Sequence, residues 1–250
     1  DATTEIYSAF FVEEEGTLSS FRGLREAIGT KGLFSSLYVD RGSHYWYTEE
    51  AGGKVDKVRL TQVHRALQQL GITLIAAYSP EARGRSERAF RTLQDRLPKE
   101  LALAGITEMA AANRYLTEQF MPQHNARFMV RATETGTAFI PWVGTPLAEI
   151  LCVQDERVVA KDNTVRYQGT TLQIPQDPHR FHYVKVTVRV HEYPEGTLAV
   201  FHGPRCLARY HADGRLIETG QAHPAPTHRS DGPPIVHPRA TVRDEISARG

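Results

Sequence analysis

The stretch Ile72-Thr73-Leu74-Ile75-Ala76-Ala77 (residues 72–77) decides the fold class. It is a short apolar run with β-branched residues between Gly71 and Ser79-Pro80, a pattern typical of a buried strand. A similar short buried strand is predicted at Leu37-Tyr38-Val39, which ends at Asp40. Between them, Leu60, Val63, Leu67 and Leu70 repeat at helical spacing. Two strands separated by a helix indicate an α/β layer.

The same alternation extends outward over residues 1–121, which we interpret as one α/β domain. A strand is predicted at Ile6 to Val12, and a helix carrying Leu18, Phe21, Leu24 and Ile28 follows it. A third helix is predicted to begin near Ser86 and to be interrupted by Pro98, which suits the first turn of a new helix. Thr107 is a candidate cap for one more helix.

The remaining chain divides into three parts. Residues 122–148 lack periodicity and hold Pro122, Pro141 and Pro146, so a linker is predicted. Residues 149–212 contain short β-rich runs separated by turn signals, which predicts a small all-β barrel. Residues 213–250 have few large apolar side chains and many prolines, so a disordered tail is predicted. The six predicted strands of the barrel are 157–160, 164–167, 170–174, 184–190, 197–201 and 206–210.

Composition sets limits on function. The 250 residues carry a formal net charge of +1, so any surface for nucleic acid has to be local. The longest apolar runs are about five residues, far below the roughly 20 that cross a membrane. Cys152 and Cys206 form no metal-ligand pair, and we interpret them as small buried side chains of a cytoplasmic protein. The first residues contain no signal segment and no Met, so we expect the chain to begin inside a longer reading frame.

Two carboxylates are candidates for chemistry. Asp40 ends a strand, and Glu87 opens a helix after the next strand, so both are expected at one edge of the sheet. We expect their carboxylates to lie between a few ångströms and about 10 Å apart, a span that one or two hydrated Mg²⁺ ions can bridge. Alternatively, Asp40 is a turn residue before Arg-Gly, and Glu87 is a first-turn acid favoured by the helix dipole.

Basic residues surround Glu87. Between Arg83 and Lys99 the sequence has six basic and two acidic residues, a net charge of +4. Such arginines suit phosphate groups of DNA, whereas the alternative is an ordinary solvated helix face. His44 is a weaker candidate for contact with DNA, the alternative being an ordinary turn histidine. The predicted DNA-binding residues are Arg83, Arg85, Arg88 and Arg91.

Three motifs resemble a known family. They are Tyr38-Val39-Asp40-Arg41-Gly42-Ser43, the run from Ala77 to Arg88 and the run from Thr92 to Leu97. Together with Gln123-His124-Asn125-Ala126-Arg127-Phe128, they are similar to the integrase catalytic core of bacterial insertion-sequence transposases. Those enzymes belong to the retroviral-integrase-like superfamily, which has a ribonuclease H-like fold and an Asp-Asp-Glu triad. The run from Val158 to Val165 and the β-rich segment after it resemble the small barrel that follows this core, including that of phage Mu-type enzymes.

The resemblance implies roles for particular residues. Asp40 corresponds to the second carboxylate of the triad and Glu87 to the third, and both would bind Mg²⁺ or Mn²⁺. Glu81 competes for the third role and ranks lower because it is expected in the loop before the helix. In this family the first Asp lies on the first of three antiparallel strands before the first core helix. Only the strand predicted at Ile6 to Val12 precedes that helix here, and Asp1 resembles a turn residue, so the first carboxylate is expected to be missing.

The expected function is therefore transposition by Mg²⁺-dependent cleavage and joining of DNA strands. The expected partners are transposon-end and target DNA and further copies of the chain, in the bacterial cytoplasm at the nucleoid and not at a membrane. A ribonuclease H-like nuclease that acts on its own is disfavoured by the barrel and by the arginines around Glu87. The second interpretation is a catalytically inactive remnant that binds DNA without cutting it. An incomplete fragment with a partial ribonuclease H-like core, a small all-β barrel and a disordered tail fits either interpretation.

Overall fold

The computed structural model describes residues 3–50, 53–78, 80–176 and 180–217; the side chains of residues 80–83 and 85 lie outside that description. Over this range the protein is a mixed α/β structure with several small sheets. The helices are α1 Thr17–Lys31, α2 Gln62–Gln69, α3 Pro80–Leu103, α4 Met109–Tyr115, α5 Met121–Phe128 and α6 Leu147–Ile150. The strands are β1 Ser36–Val39, β2 Tyr47–Thr48, β3 Val55–Asp56, β4 Thr73–Ala76, β5 Val153–Val158, β6 Thr164–Tyr167, β7 Thr170–Gln173, β8 Thr187–Glu192, β9 Leu198–His202 and β10 Arg205–Tyr210.

The core of the first half forms around a parallel pair of strands. β1 pairs with β4 in parallel, with Leu37 opposite Leu74 and Val39 opposite Ala76. The apolar stripes of α1 and α2 pack on one face of this pair, which confirms both predicted helices and both strands. The other face is more open, because Tyr38 is 61% exposed. The expectation that the Leu37–Val39 strand is buried is therefore wrong: it is half-buried.

The segment 6–12 is not a strand, contrary to prediction. It lies against helices α4 and α5, where two asparagine side chains take the place of a neighbouring strand. The Asn125 amide accepts a hydrogen bond from the Ile6 N–H and donates one to the Ile6 carbonyl, both at 2.9 Å. Asn113 makes the same pair of bonds with Phe11, at 2.7 and 3.1 Å. Backbone groups that a sheet would satisfy are satisfied by side chains instead.

A single π-helical turn, Leu116–Phe120, brings these two asparagines into line. Twelve residues of regular α-helix would turn Asn125 roughly 120° away from Asn113. The wider π-turn absorbs about one residue, so the two side chains return to nearly the same side. Their separation of roughly 18 Å along the helix matches the roughly 16 Å between Ile6 and Phe11 in an extended chain.

Replacing Asn125 with Ala should lower the free energy of unfolding by about 1–3 kcal/mol, because two half-buried backbone groups of Ile6 lose their partners. Urea unfolding measures the loss, and hydrogen exchange at the Ile6 amide should accelerate. The control is Gln123→Ala, which removes an exposed amide from the same helix. Equal stability of the two variants would contradict the role given to Asn125.

Helix α3 also differs from expectation. It begins at Pro80 rather than near Ser86, and it continues through Pro98 to Leu103 instead of ending there. Proline removes one helical hydrogen bond, that to the Gln94 carbonyl, but Gln94 is exposed, so water can replace the lost donor. Leu93, Leu97 and Leu101 hold the helix together by packing against Leu116 and Phe120. The next helix, α4, follows Glu108, so Thr107 is not its cap residue.

The second half is β-rich, and all six predicted strands are present, five of them with shifted ends. Strands β5, β8, β9 and β10 form an antiparallel sheet in the order β10-β9-β8-β5, while β6 and β7 form a separate hairpin. The hairpin turns at Gln168 and Gly169, both with positive φ (44° and 81°), the geometry that a two-residue turn needs. Among the described residues the strands do not close into a barrel, so that part of the prediction is wrong.

The predicted domain boundaries stay predictions. Helix α5 extends to Phe128, beyond the start of the predicted linker at residue 122, and Leu33 pairs with Ile140 within that linker. Most of the predicted tail, residues 218–250, lies outside the described residues. No helix in the described ranges is long and apolar enough to cross a membrane.

Candidate nucleic-acid and metal site

The candidate site lies where β1 and β4 end. Because the two strands are parallel, their carboxyl ends meet at one edge of the sheet, and the Ala77 N–H donates to the Val39 carbonyl at 2.9 Å there. Asp40 is the next residue after β1. Its side chain is exposed and accepts a hydrogen bond from the Gly42 N–H at 2.9 Å. This bond is the turn geometry of the alternative interpretation.

Helix α3 carries the other predicted residues. It starts four residues after β4, and Glu87 lies about 10 Å along its axis, exposed to solvent. Glu81 lies on the same helix and not in a loop, which was the reason for ranking it below Glu87. Arg83 and Arg85 also lie on the helix, because it begins at Pro80 rather than near Ser86. The choice of Glu87 over Glu81 now rests on the resemblance alone.

The basic residues of α3 fall into two groups. Arg96 pairs with Glu100 one turn later, at 2.6 Å, and Lys99 pairs with Asp95 one turn earlier, at 2.5 Å. Their charges are therefore largely compensated. Arg88 and Arg91 are exposed, and neither makes an ion pair with a described side chain. The free positive charge of the helix is thus concentrated beside Glu87, while the side chains of Arg83 and Arg85 lie outside the described part.

The loop after Asp40 is more enclosed than its sequence suggests. His44 is 16% exposed at its side chain, packs on the Tyr45 ring and lies 3.7 Å from Glu15. Burial raises the pKa of the Tyr45 hydroxyl; a hydrogen bond from Ser20 opposes this rise, and the carboxylates of Glu15 and Asp40 reinforce it. These contacts fit the interpretation of His44 as a turn histidine, and contact of His44 with DNA stays a prediction.

Asp40 and Glu87 offer oxygen donors for a metal ion. Carboxylate oxygens are the ligands that Mg²⁺ prefers, and the ion keeps several waters, so Asp40 and Glu87 suit it chemically. In the described ranges there is no group of three His, Cys, Asp or Glu side chains placed to hold a metal ion. Asp1, the terminal carboxylate, lies outside the described residues.

A second polar cluster, which the sequence did not reveal, lies between α6 and the β-rich half. Glu149 accepts hydrogen bonds from the Tyr193 hydroxyl at 2.6 Å and from Arg209 at 2.5 Å, and its carboxylate is 3.2 Å from His191. Burial alone would raise the pKa of Glu149, but these hydrogen bonds and the Arg209 charge lower it to about 2. The residues of this cluster lie up to 60 positions apart in the sequence, so no local sequence pattern could predict it.

Polar side chains of α2 connect the two halves. The Gln62 amide donates to the Gln154 carbonyl at 2.9 Å and accepts from the Gln154 N–H at 3.1 Å. Arg65 donates to the carbonyls of Ile150 and Cys152. Burial raises the pKa of the Cys152 thiol to about 11, so it stays protonated and is a poor nucleophile. These hydrogen bonds hold the two halves together, and nothing in them indicates a reactive group.

Comparison with known proteins gives two similar proteins. The chain is 30% identical over 204 residues to a protein named transposase y4bF from Sinorhizobium fredii, covering 80% of this chain and 44% of that protein. It is 29% identical over 171 residues to the transposase for insertion sequence IS1202 from Streptococcus pneumoniae, covering 68% of this chain and 36% of that protein. The chain therefore spans less than half the length of these relatives. No protein-family model matches it. The similarity to these two proteins supports the interpretation of this chain as transposase sequence.

Proposed function

We propose that this chain is part of a transposase that cleaves and joins DNA strands by metal-dependent phosphoryl transfer on a ribonuclease H-like core of the integrase type. One observation carries the proposal: the parallel pairing of β1 and β4 puts Asp40 at the edge of the sheet from which α3, with Glu87, departs. Functional groups of open α/β sheets gather at such an edge. The similarity to two transposases supports the reaction class.

The proposal gives each residue a role. Asp40 and Glu87 would hold Mg²⁺ or Mn²⁺, and bound metal supplies charge neutralisation to the oxygens of a phosphodiester under attack. Arg88 and Arg91 would bind backbone phosphates and so orient the DNA against the carboxylates. Arg83 and Arg85 belong to the same proposed surface. Transposon ends and target DNA are the proposed partners, held by more than one copy of the chain.

The alternative proposal is a protein that binds DNA and does not cut it. It is supported by the donor set: Asp40 and Glu87 are the proposed ligands, and no group of three possible metal ligands is found among the described residues. A metal-dependent strand-transfer assay separates the proposals when it is run on this 250-residue chain and on a longer reading frame that contains it. If the longer protein joins DNA strands, the result supports catalysis. If both proteins bind DNA and neither joins strands, the result favours the alternative.

Replacing Arg83, Arg85, Arg88 and Arg91 with Ala should weaken duplex DNA binding and flatten its salt dependence. Each phosphate contact contributes about 0.9 to the slope of log affinity against log salt, so the slope should fall by about one per arginine removed. Fluorescence anisotropy between about 50 and 200 mM salt measures it.

The matched control is Lys99→Ala, because Lys99 is exposed on the same helix but already paired with Asp95. It should leave the slope nearly unchanged. A quadruple variant with the wild-type slope would show that these arginines are only a solvated helix face.

A further inference from the structure

The candidate edge also carries an exposed aromatic ring with an arginine over it. Tyr78 is the second residue after β4, and it is 57% exposed. The Arg41 guanidinium carbon, from the residue after Asp40, lies 5.6 Å from the centre of the Tyr78 ring. That distance is within the range of cation–π attraction. One side chain from each strand end thus forms a flat, positively charged surface next to the candidate carboxylate.

The β2–β3 hairpin is fixed to this surface. Arg41 donates a hydrogen bond to the Gly53 carbonyl at 3.1 Å, and the Val55 N–H donates to the Tyr78 hydroxyl at 3.4 Å. The hairpin carries a second pair of the same kind: the Arg59 guanidinium carbon lies 4.2 Å from the centre of the Tyr47 ring, and both residues are exposed. The hairpin that carries the second arginine–tyrosine pair is therefore hydrogen-bonded to both residues of the first pair.

These pairs suit one kind of ligand. An exposed tyrosine ring offers a face on which another flat ring stacks, and the arginines add attraction for phosphates and for the rings themselves. Bases inside a duplex are already stacked on each other, so only an unpaired base can reach such a face. Single-stranded DNA combines flat rings with a phosphate backbone and matches both features.

We propose that Tyr78 with Arg41, assisted by Tyr47 with Arg59, forms a stacking platform for unpaired DNA bases beside Asp40. This inference rests on the proposed function, because it takes the DNA to lie at this edge. The platform would favour DNA that is frayed or distorted at the reacting phosphate, and it would hold the displaced base away from the carboxylates. Arg41 and Tyr78 would thereby position the strand, while Asp40 and Glu87 act on it.

The test compares two DNA duplexes that differ only in one bulged 2-aminopurine. Wild-type protein should bind the bulged duplex about tenfold more tightly than the matched one and should quench 2-aminopurine fluorescence, as stacking does. Tyr78→Ala should lose both the preference and the quenching. Tyr78→Phe should keep them, because it keeps the ring and loses only the hydroxyl. Phe181→Ala, at an 85% exposed ring of the β-rich half, is the control and should behave like wild type.

The outcomes separate this inference from the proposed function. Binding of both duplexes with equal affinity and normal salt dependence overturns the platform and leaves the DNA-binding proposal standing. No binding of either duplex overturns both. An unchanged DNA preference in Tyr78→Ala, combined with an altered oligomeric state, would show that the ring contacts protein and would also overturn the inference.

Discussion

Glu87→Gln and Asp40→Asn should each reduce DNA strand cleavage and joining by at least about a thousandfold, when the substitutions are made in a longer protein that contains this chain. Each change replaces one carboxylate oxygen with an amide and removes a negative charge, so the site loses affinity for a divalent cation and the charge stabilisation that the cation supplies. A strand-transfer assay with Mg²⁺, repeated with Mn²⁺, measures the loss. DNA affinity should change little, because Arg88 and Arg91 are retained.

Glu81→Gln is the matched control for this prediction, since Glu81 lies on the same helix and offers the same functional group. It should keep most of the activity. If Glu81→Gln abolishes strand transfer and Glu87→Gln does not, the assignment of Glu87 is wrong and the third carboxylate of the proposed site is Glu81.

Glu149→Gln should destabilise the protein at neutral pH and remove part of its sensitivity to acid. The pKa of Glu149 is about 2 in the folded protein, compared with 4.5 ordinarily. A carboxyl group whose pKa is lowered by folding stabilises the folded protein at any pH above its ordinary pKa. This contribution is lost as the pH falls from about 4.5 toward 2. The difference corresponds to about 3 kcal/mol at pH 7, since a tenfold change in a proton equilibrium is worth ~1.4 kcal/mol.

Urea unfolding at pH 7 and at several lower values tests this prediction. The stability difference between wild type and Glu149→Gln should be largest at pH 7 and should shrink below pH 4.5. Glu156→Gln serves as the control, because Glu156 is an exposed carboxylate on the neighbouring strand β5. A constant difference across the pH range would mean that Glu149 does not stabilise the fold through its charge.

Local sequence patterns predicted the helices whose apolar side chains repeat at helical spacing. The stripes of α1 and α2 each place apolar side chains on one face, and both helices are present. The segment 6–12 has the composition of a strand, yet no described strand lies beside it. Its conformation depends on Asn113 and Asn125, more than 100 residues away, so composition alone could not predict it.

The same distinction applies to the candidate site. Asp40 was predictable, because it directly follows a strand whose apolar residues are visible in the sequence. The position of Glu81 was not, since the start of α3 at Pro80 depends on how the helix leaves the sheet. The Arg41–Tyr78 contact joins residues 37 positions apart, and it exists only because β1 and β4 are adjacent and parallel. Sequence patterns carry no direct signal for such contacts.

Crystallography of the protein grown with Mn²⁺ in place of Mg²⁺ is the most direct test of metal binding by Asp40 and Glu87, because anomalous scattering locates the metal independently of the protein atoms. We expect a manganese ion between β1 and α3, within roughly 2–2.5 Å of a carboxylate oxygen of Asp40 and of Glu87. Asp40 and Glu87 on opposite faces of the sheet, or manganese bound to Glu81 and not to Glu87, would contradict it.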